Sequence, residues 1–144
     1  MRATGFRKAR AKSRRRSEAL DANVRVAIAE TVTEVRRDGL DNLASMTKKR
    51  SGTLVRNYKK ALRKGGMVGL VGYITARARD AAFYARFIHD GTSRIKARPF
   101  HDQAVLAAEG RRSVRMRAAL SRALSGRASP SSLGRTGGTG EREG

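Results

Sequence analysis

The chain has 144 residues, 39% apolar and 31% charged, with a formal net charge of +21 and neither cysteine nor tryptophan. That is about one domain with one modest core. It excludes disulfides, cysteine-based zinc sites and thiol nucleophiles, and no apolar run approaches the roughly 20 residues of a membrane span. The charge is uneven: residues 1–16 hold eight Arg or Lys and no acid, and residues 111–144 hold eight Arg against two Glu. Residues 17–110 carry only +7, so the pattern is an ordinary domain with basic extensions.

Residues 1–16 read as a disordered basic arm, because nothing in them can bury an apolar face. They lack the apolar stretch of a secretory signal. Ser17–Asp38 predicts an amphipathic helix: Leu20, Val24, Ala27, Ile28, Thr31 and Val35 recur at spacings of three and four. Arg25, Glu30, Glu34 and Arg37 mostly fall away from that stripe. Ser17 caps the start, Arg36 and Arg37 suit the end, and Gly39 is placed to stop the helix. Leu40 and Leu43 can add a further turn, and Met46–Arg50 is basic and loop-like.

From Gly52 to Thr75 helix and hairpin compete. Leu54, Tyr58 and Leu62 have helical spacing, but Gly65-Gly66 is a turn signal and Met67–Thr75 is rich in Val, Ile and Tyr. The favoured reading is a helical turn at Thr53–Asn57, then strands near Tyr58–Lys64 and Met67–Thr75. Gly69 and Gly72 make this sheet small and curved, on opposite faces or near bulges. Arg77–Asp80 reads as a polar loop. Phe83–His89 reads as a short helix with Phe83/Phe87 and Tyr84/Ile88 as i,i+4 pairs, ended by Gly91. Thr92–Arg98 is a basic loop, and Pro99 opens helix over Phe100–Ala108 and Ser113–Leu124, with Gly110 as a break or kink. Ser125–Gly144 is Gly/Ser-rich without apolar periodicity and reads as a disordered tail. The expected architecture is α+β: a long N-terminal helix, a small antiparallel curved sheet, a short helix and a C-terminal helix. One domain spans 17–124, between disordered basic termini.

Catalytic chemistry is thinly represented. His89-Asp90 and His101-Asp102 are the residue types of a metal site or a general base, but the other acids are scattered, and capping or turn hydrogen bonds explain the aspartates. Ser51-Gly52-Thr53 lacks the surroundings of a nucleophile elbow, and no Gly-Lys-Ser/Thr follows the glycines at 65–72 to make a phosphate loop. The expectation is therefore no enzyme, no cofactor and no metal. The termini can bind a phosphate backbone without sequence preference, or acidic proteins. Arg7, Lys8, Arg10, Lys12, Arg14, Arg15 and Arg16 are the candidates for those contacts, and no zinc-finger or aromatic RNA-binding motif accompanies them.

Two closely spaced segments carry a resemblance. Tyr84-Ala85-Arg86-Phe87-Ile88-His89-Asp90-Gly91-Thr92 is followed by Ala97-Arg98-Pro99-Phe100, and both are preceded by Ser51-Gly52-Thr53-Leu54. In order and spacing, over about residues 20–108, these resemble the neck or minor-tail family of tailed phages typified by the tenth gene product of phage HK-ninety-seven. The chain departs from that pattern in placing Ser51 for a threonine, His89 for the family's acid and Asp90 for its aromatic.

The resemblance implies a structural virion protein of the head–tail junction or tail, made in the host cytoplasm. It would join head-closure, tail-terminator and tail-tube proteins, as a homo-oligomeric ring whose six copies would match the tail symmetry. No membrane is involved. The interface candidates are Tyr84, Arg86, His89, Asp90, Gly91, Thr92, Arg94, Lys96, Arg98, Pro99 and Phe100, with Ser51, Gly52 and Leu54 in the earlier motif. In physical terms Tyr84, Phe87 and Ile88 would anchor the short helix, Phe100 would act as a plug, and Arg98 would sit free for a partner carboxylate. The runner-up is a small basic nucleic-acid-binding protein acting through its termini. A nuclease or other hydrolase is third.

Overall fold

The computed structural model describes residues 4–48 and 52–126. Helix α1 (Thr4–Met46) is followed by the short α2 (Thr53–Asn57), strands β1 (Lys59–Arg63) and β2 (Val68–Gly72), short helices α3 (Ala76–Ala81) and α4 (Ala85–Asp90), and the long α5 (Phe100–Leu124). The fold is α+β. Ser51 and residues 127–144 of the tail lie outside the described residues.

The two long helices form the frame, packed side by side in antiparallel directions. Asn42 donates its side-chain N–H to the Phe100 carbonyl at 3.1 Å, while further along Glu30 and Glu34 of α1 meet Arg115 of α5. Ala104, Ala108, Ala119 and Ala123 are the buried positions of α5 beyond Phe100. Such small residues at spacings of four let two helix backbones approach closely. An ion-pair ladder crosses the seam. Glu34, only 8% exposed, meets Arg111 at 2.7 Å as well as Arg115, and Arg111 reaches Asp38 at 3.1 Å. Glu34 therefore lies on the packing face, where the expected stripe had left it outside.

The hairpin lies across α1. β1 and β2 pair antiparallel from Lys59↔Gly72 to Arg63↔Val68 without a bulge. The connection Lys64–Gly66 is a tight 3-10 turn in which Lys64, Gly65 and Gly66 all take positive φ. That conformation suits the two glycines. Gly69 allows the sheet to seat: a Cβ there would collide with Val32 of α1 and press on Ile28. The glycine is a close-approach position, not a bulge.

The core sits where the hairpin, the short helices and the start of α5 converge. Leu43, Leu54, Tyr58, Ala82, Ala85 and Phe100 form it, with Val71, Tyr73, Tyr84 and Ile88 packed around. A second cluster of Val35, Ala104 and Ala108 joins it through Val71.

Four local expectations change. The residues read as a disordered arm are helical from Thr4. Ala, Arg and Lys are strong helix formers, and extending a helix already held by packing needs no new nucleus. Gly39 does not end α1. It lies inside it, and its missing Cβ leaves room for the Tyr58 ring. The supposed loop Arg77–Asp80 belongs to α3, whose N-cap Thr75 accepts the Ala78 N–H at 3.1 Å. Gly110 neither breaks nor kinks α5, which runs unbroken through it.

Candidate functional site

The motif segment forms one corner of the molecule, built from α4, the loop 91–99 and the first turn of α5. Helix α4 and the turn before it carry apolar side chains on two sides. Tyr84, Ala85 and Ile88 face the core. Phe83 and Phe87 face outward, 68% and 49% exposed. The expected anchor role thus holds for Tyr84 and Ile88 and fails for Phe87: so short a helix cannot bury both pairs against one core.

Gly91 ends α4 with φ +79°. A Cβ there would press into the backbone of Ile95 and Ala97, at 2.9 and 2.7 Å, because the loop folds straight back over it. Thr92 and Ile95 close a small turn through N–H···O bonds of 2.8 and 3.3 Å. The Thr92 hydroxyl accepts the Ile95 N–H at 3.1 Å. Arg98 then donates its backbone N–H to Ile88 O at 2.9 Å. The loop is exposed yet tied at several points along its length.

Arg98 is not free for a partner. Its guanidinium donates to the carbonyl of Met46, the last residue of α1, satisfying one of that helix's terminal acceptors. Pro99 precedes α5 and accepts from Gln103 N at 3.1 Å. Phe100 plugs the core at 2% exposure. Gly52, with φ +71°, starts α2, and Leu54 is buried beside Leu43. These two are scaffold positions. Arg86, Arg94 and Lys96 are exposed, and Arg86 lies 3.5 Å from Asp90.

The two His-Asp pairs, separate in sequence, are neighbours in space. His89 Nδ1 meets Asp90 at 2.8 Å, and its Nε2 lies 3.5 Å from Asp102. Its ring stands edge-on to Phe100, centroids 5.5 Å apart. His101 Nδ1 is hydrogen-bonded to the Tyr58 hydroxyl at 2.7 Å. All but Asp102 border a cleft also lined by Tyr73, Arg79 and Arg86. Burial pushes Tyr58 up to about 12 and raises Tyr73 further, so both phenols stay protonated at neutral pH. The hydrogen bond from His89, helped by Arg86, holds Asp90 below its ordinary range. Among the described residues no three His, Cys, Asp or Glu side chains are grouped to hold a metal ion. His89 thus bonds Asp90 within α4 and sets its ring against Phe100 of α5, while its buried Nε2 has no hydrogen-bond partner among the described residues.

It also gives a pH dependence. Burial is the main cause lowering the His101 pKa from its ordinary 6.5, opposed by Asp102 and helped by His89. Between the folded and unfolded values the unfolded chain binds more protons, so stability rises with pH there. The contribution is complete above about 6.5 and is lost as pH falls toward the lower folded value. Thermal unfolding should therefore move to lower temperature between about pH 7.5 and about pH 5.5. His101→Gln should flatten that dependence, and an equally steep profile in the variant would contradict the assignment.

A second concavity, of about 910 Å³, opens on the other side of α4. Leu54, Val55, Tyr84, Phe87, Ile88 and Ile95 are among its walls. Phe87 and Ile95 are about half exposed, at 49% and 45%. The motif-based candidates had omitted Ile95 and turned Phe87 inward. The available signal was the double apolar character of Phe83–Ile88, which leaves one pair without a core to enter.

No protein-family model, no curated protein and no solved structure matches this chain.

Proposed function

We propose that the chain is a structural joint of a long-tailed phage particle, placed at the neck or the tail-completion position between head-closure, terminator and tube proteins. It works by fitting its neighbours, with no chemistry of its own. The observation that carries this reading is the corner formed by α4 and the loop 91–98. Helix α4 presents Phe87, and the backbone-tied loop presents Ile95, over an apolar concavity, with Arg94 and Lys96 exposed beside them. Contiguous exposed apolar surface with a polar rim is the character of a protein interface. The motif segments 84–92 and 97–100, which carry the resemblance to neck and minor-tail proteins, flank this surface.

Copies arranged around a particle axis would meet head to tail, different patches facing each other, so that the contact closes a ring. Six copies are the number the resemblance implies. Tyr84, Gly91, Pro99 and Phe100 hold the corner in shape, while Arg86, Thr92, Arg94 and Lys96 supply its rim. His89 sets its ring against Phe100 of α5, and Asp90, exposed beside Arg86, belongs with the rim. The decisive test is whether the protein is a stoichiometric part of purified particles.

A further inference from the structure

Helix α1 outruns everything that packs on it. Its side chains from Thr4 to Glu18 are all exposed, and burial along the helix begins only at Ala19. At about 1.5 Å per residue this leaves a rod of roughly 22 Å projecting from the body. Seven of the ten residues from Arg7 to Arg16 are Arg or Lys, and none is acidic.

The rod is electrostatically unsatisfied. Lys8/Lys12, Arg10/Arg14 and Lys12/Arg16 are like-charge pairs at i,i+4, which weaken a helix. The first turn contains no acid to complement the positive end of the helix dipole. Among the described residues no ion pair reaches the rod. A dense polyanion would remove this repulsion and firm up the helix as it bound.

The distribution of charge selects the polyanion. At about 100° per residue the cations cover roughly two thirds of the circumference, and the remaining sector carries Phe6, Ala9, Ser13 and Ser17. Phe6 is the only large apolar side chain, so no apolar stripe exists to lie on a protein groove or a membrane surface. A double helix offers the complementary arrangement. Its major groove, about 12 Å wide, admits an α-helix about 10–12 Å across and flanks it with phosphates on both walls. The rod has no Asn or Gln to read adenine edges.

We propose that residues 4–18 of α1 bind double-stranded DNA, lying in the major groove with their cations directed to the phosphates of both walls and little preference for sequence. The inference stands on the rod alone, and holds whether or not the chain is built into a particle.

The test titrates the full-length protein into a fluorescein-labelled DNA duplex of about 30 base pairs at several salt concentrations. The comparison is the fourfold variant Lys8→Gln, Arg10→Gln, Arg14→Gln, Arg15→Gln. Gln keeps nearly the same helix propensity, and no substituted residue packs on the body, so the thermal melt should match the wild type. At about 0.1 M salt the variant should bind roughly 100-fold more weakly, and its slope of log K against log salt should be shallower by about 3–4. Unlabelled duplex should compete better than single-stranded DNA of the same length or polyglutamate of the same charge. Unchanged affinity and slope in the variant would overturn the proposal by placing binding elsewhere on the chain. Equal competition by the single strand would overturn the groove, and equal competition by polyglutamate would point to an acidic protein instead.

Discussion

Phe100→Ala is expected to lower the unfolding free energy by about 4 kcal/mol, the largest loss of any single truncation in this molecule. Phe100 is 2% exposed and among the largest fully buried side chains. It lies between α1 and the short helices, within the cluster of Leu43, Leu54, Tyr58, Ala82 and Ala85. Its ring meets Tyr58 and His89 edge to face, with centroids 6.0 and 5.5 Å apart. Removing the ring opens a cavity at the meeting point of α1, α4 and α5, and alanine-rich helices cannot collapse to fill it. A domain of this size has only about 5–15 kcal/mol in total. Urea unfolding measures the effect directly. Leu106→Ala is the control, since Leu106 lies on the outer side of α5 at 67% exposure and should change stability by less than about 0.5 kcal/mol. A loss below about 1.5 kcal/mol for Phe100→Ala would mean that the core is not organised around this residue.

The second large effect is on assembly and leaves the fold intact. Phe87→Asp combined with Ile95→Asp should produce a protein with a wild-type melting profile, because both side chains are about half exposed. In complementation of a phage lacking the gene, the double variant should reduce infectious particles by at least about 100-fold. Burying an apolar anchor at an interface typically contributes about 2 kcal/mol, so two anchors lost from each contact weaken every joint by more than that factor. Leu62→Asp is the matched control: Leu62 is 48% exposed on β1, remote from the motif corner. Full complementation by the double variant would remove α4 and its loop from the interface.

Much of the architecture could be read before any coordinates. The stripe from Leu20 to Val35 marked the packed part of α1, and Gly65-Gly66 between two β-rich runs marked the hairpin. Thr53–Asn57 was legible as a helical turn. The features that escaped did so for physical reasons. Residues 4–16 form helix by propagation from a packed neighbour, which leaves no apolar period to detect. Gly39 looked like a helix stop, and Gly69 like a strand glycine on a face or near a bulge, but both are close-approach glycines, under Tyr58 and Val32. Only the position of the partner element separates those roles. Glu34 was counted with the solvent face because its partners, Arg111 and Arg115, lie in a distant helix.

The candidate site divides in the same way. Gly91, Pro99 and Phe100 have structural roles that their residue types announced. Arg98 looked available and is instead engaged by the end of α1. The aspartates of the two His-Asp dipeptides were expected to cap or close turns, yet neither α4 nor α5 has a side-chain cap, and Asp90 pairs with His89 and Arg86. The meeting of the two dipeptides across α4 and α5, with His89 between Asp90 and Asp102, depends on the loop doubling back at Gly91, which no spacing rule shows.

The measurement that bears most directly on the proposed role is the composition of the particle itself. Virions purified from infected cells can be broken into heads and tails, and each fraction examined for this protein by quantitative mass spectrometry. A structural joint should be found at a fixed, small number of copies in the neck or tail fraction, six if the ring follows the tail symmetry. Its absence from both fractions, with the protein remaining free in the lysate, would contradict a structural role in the virion.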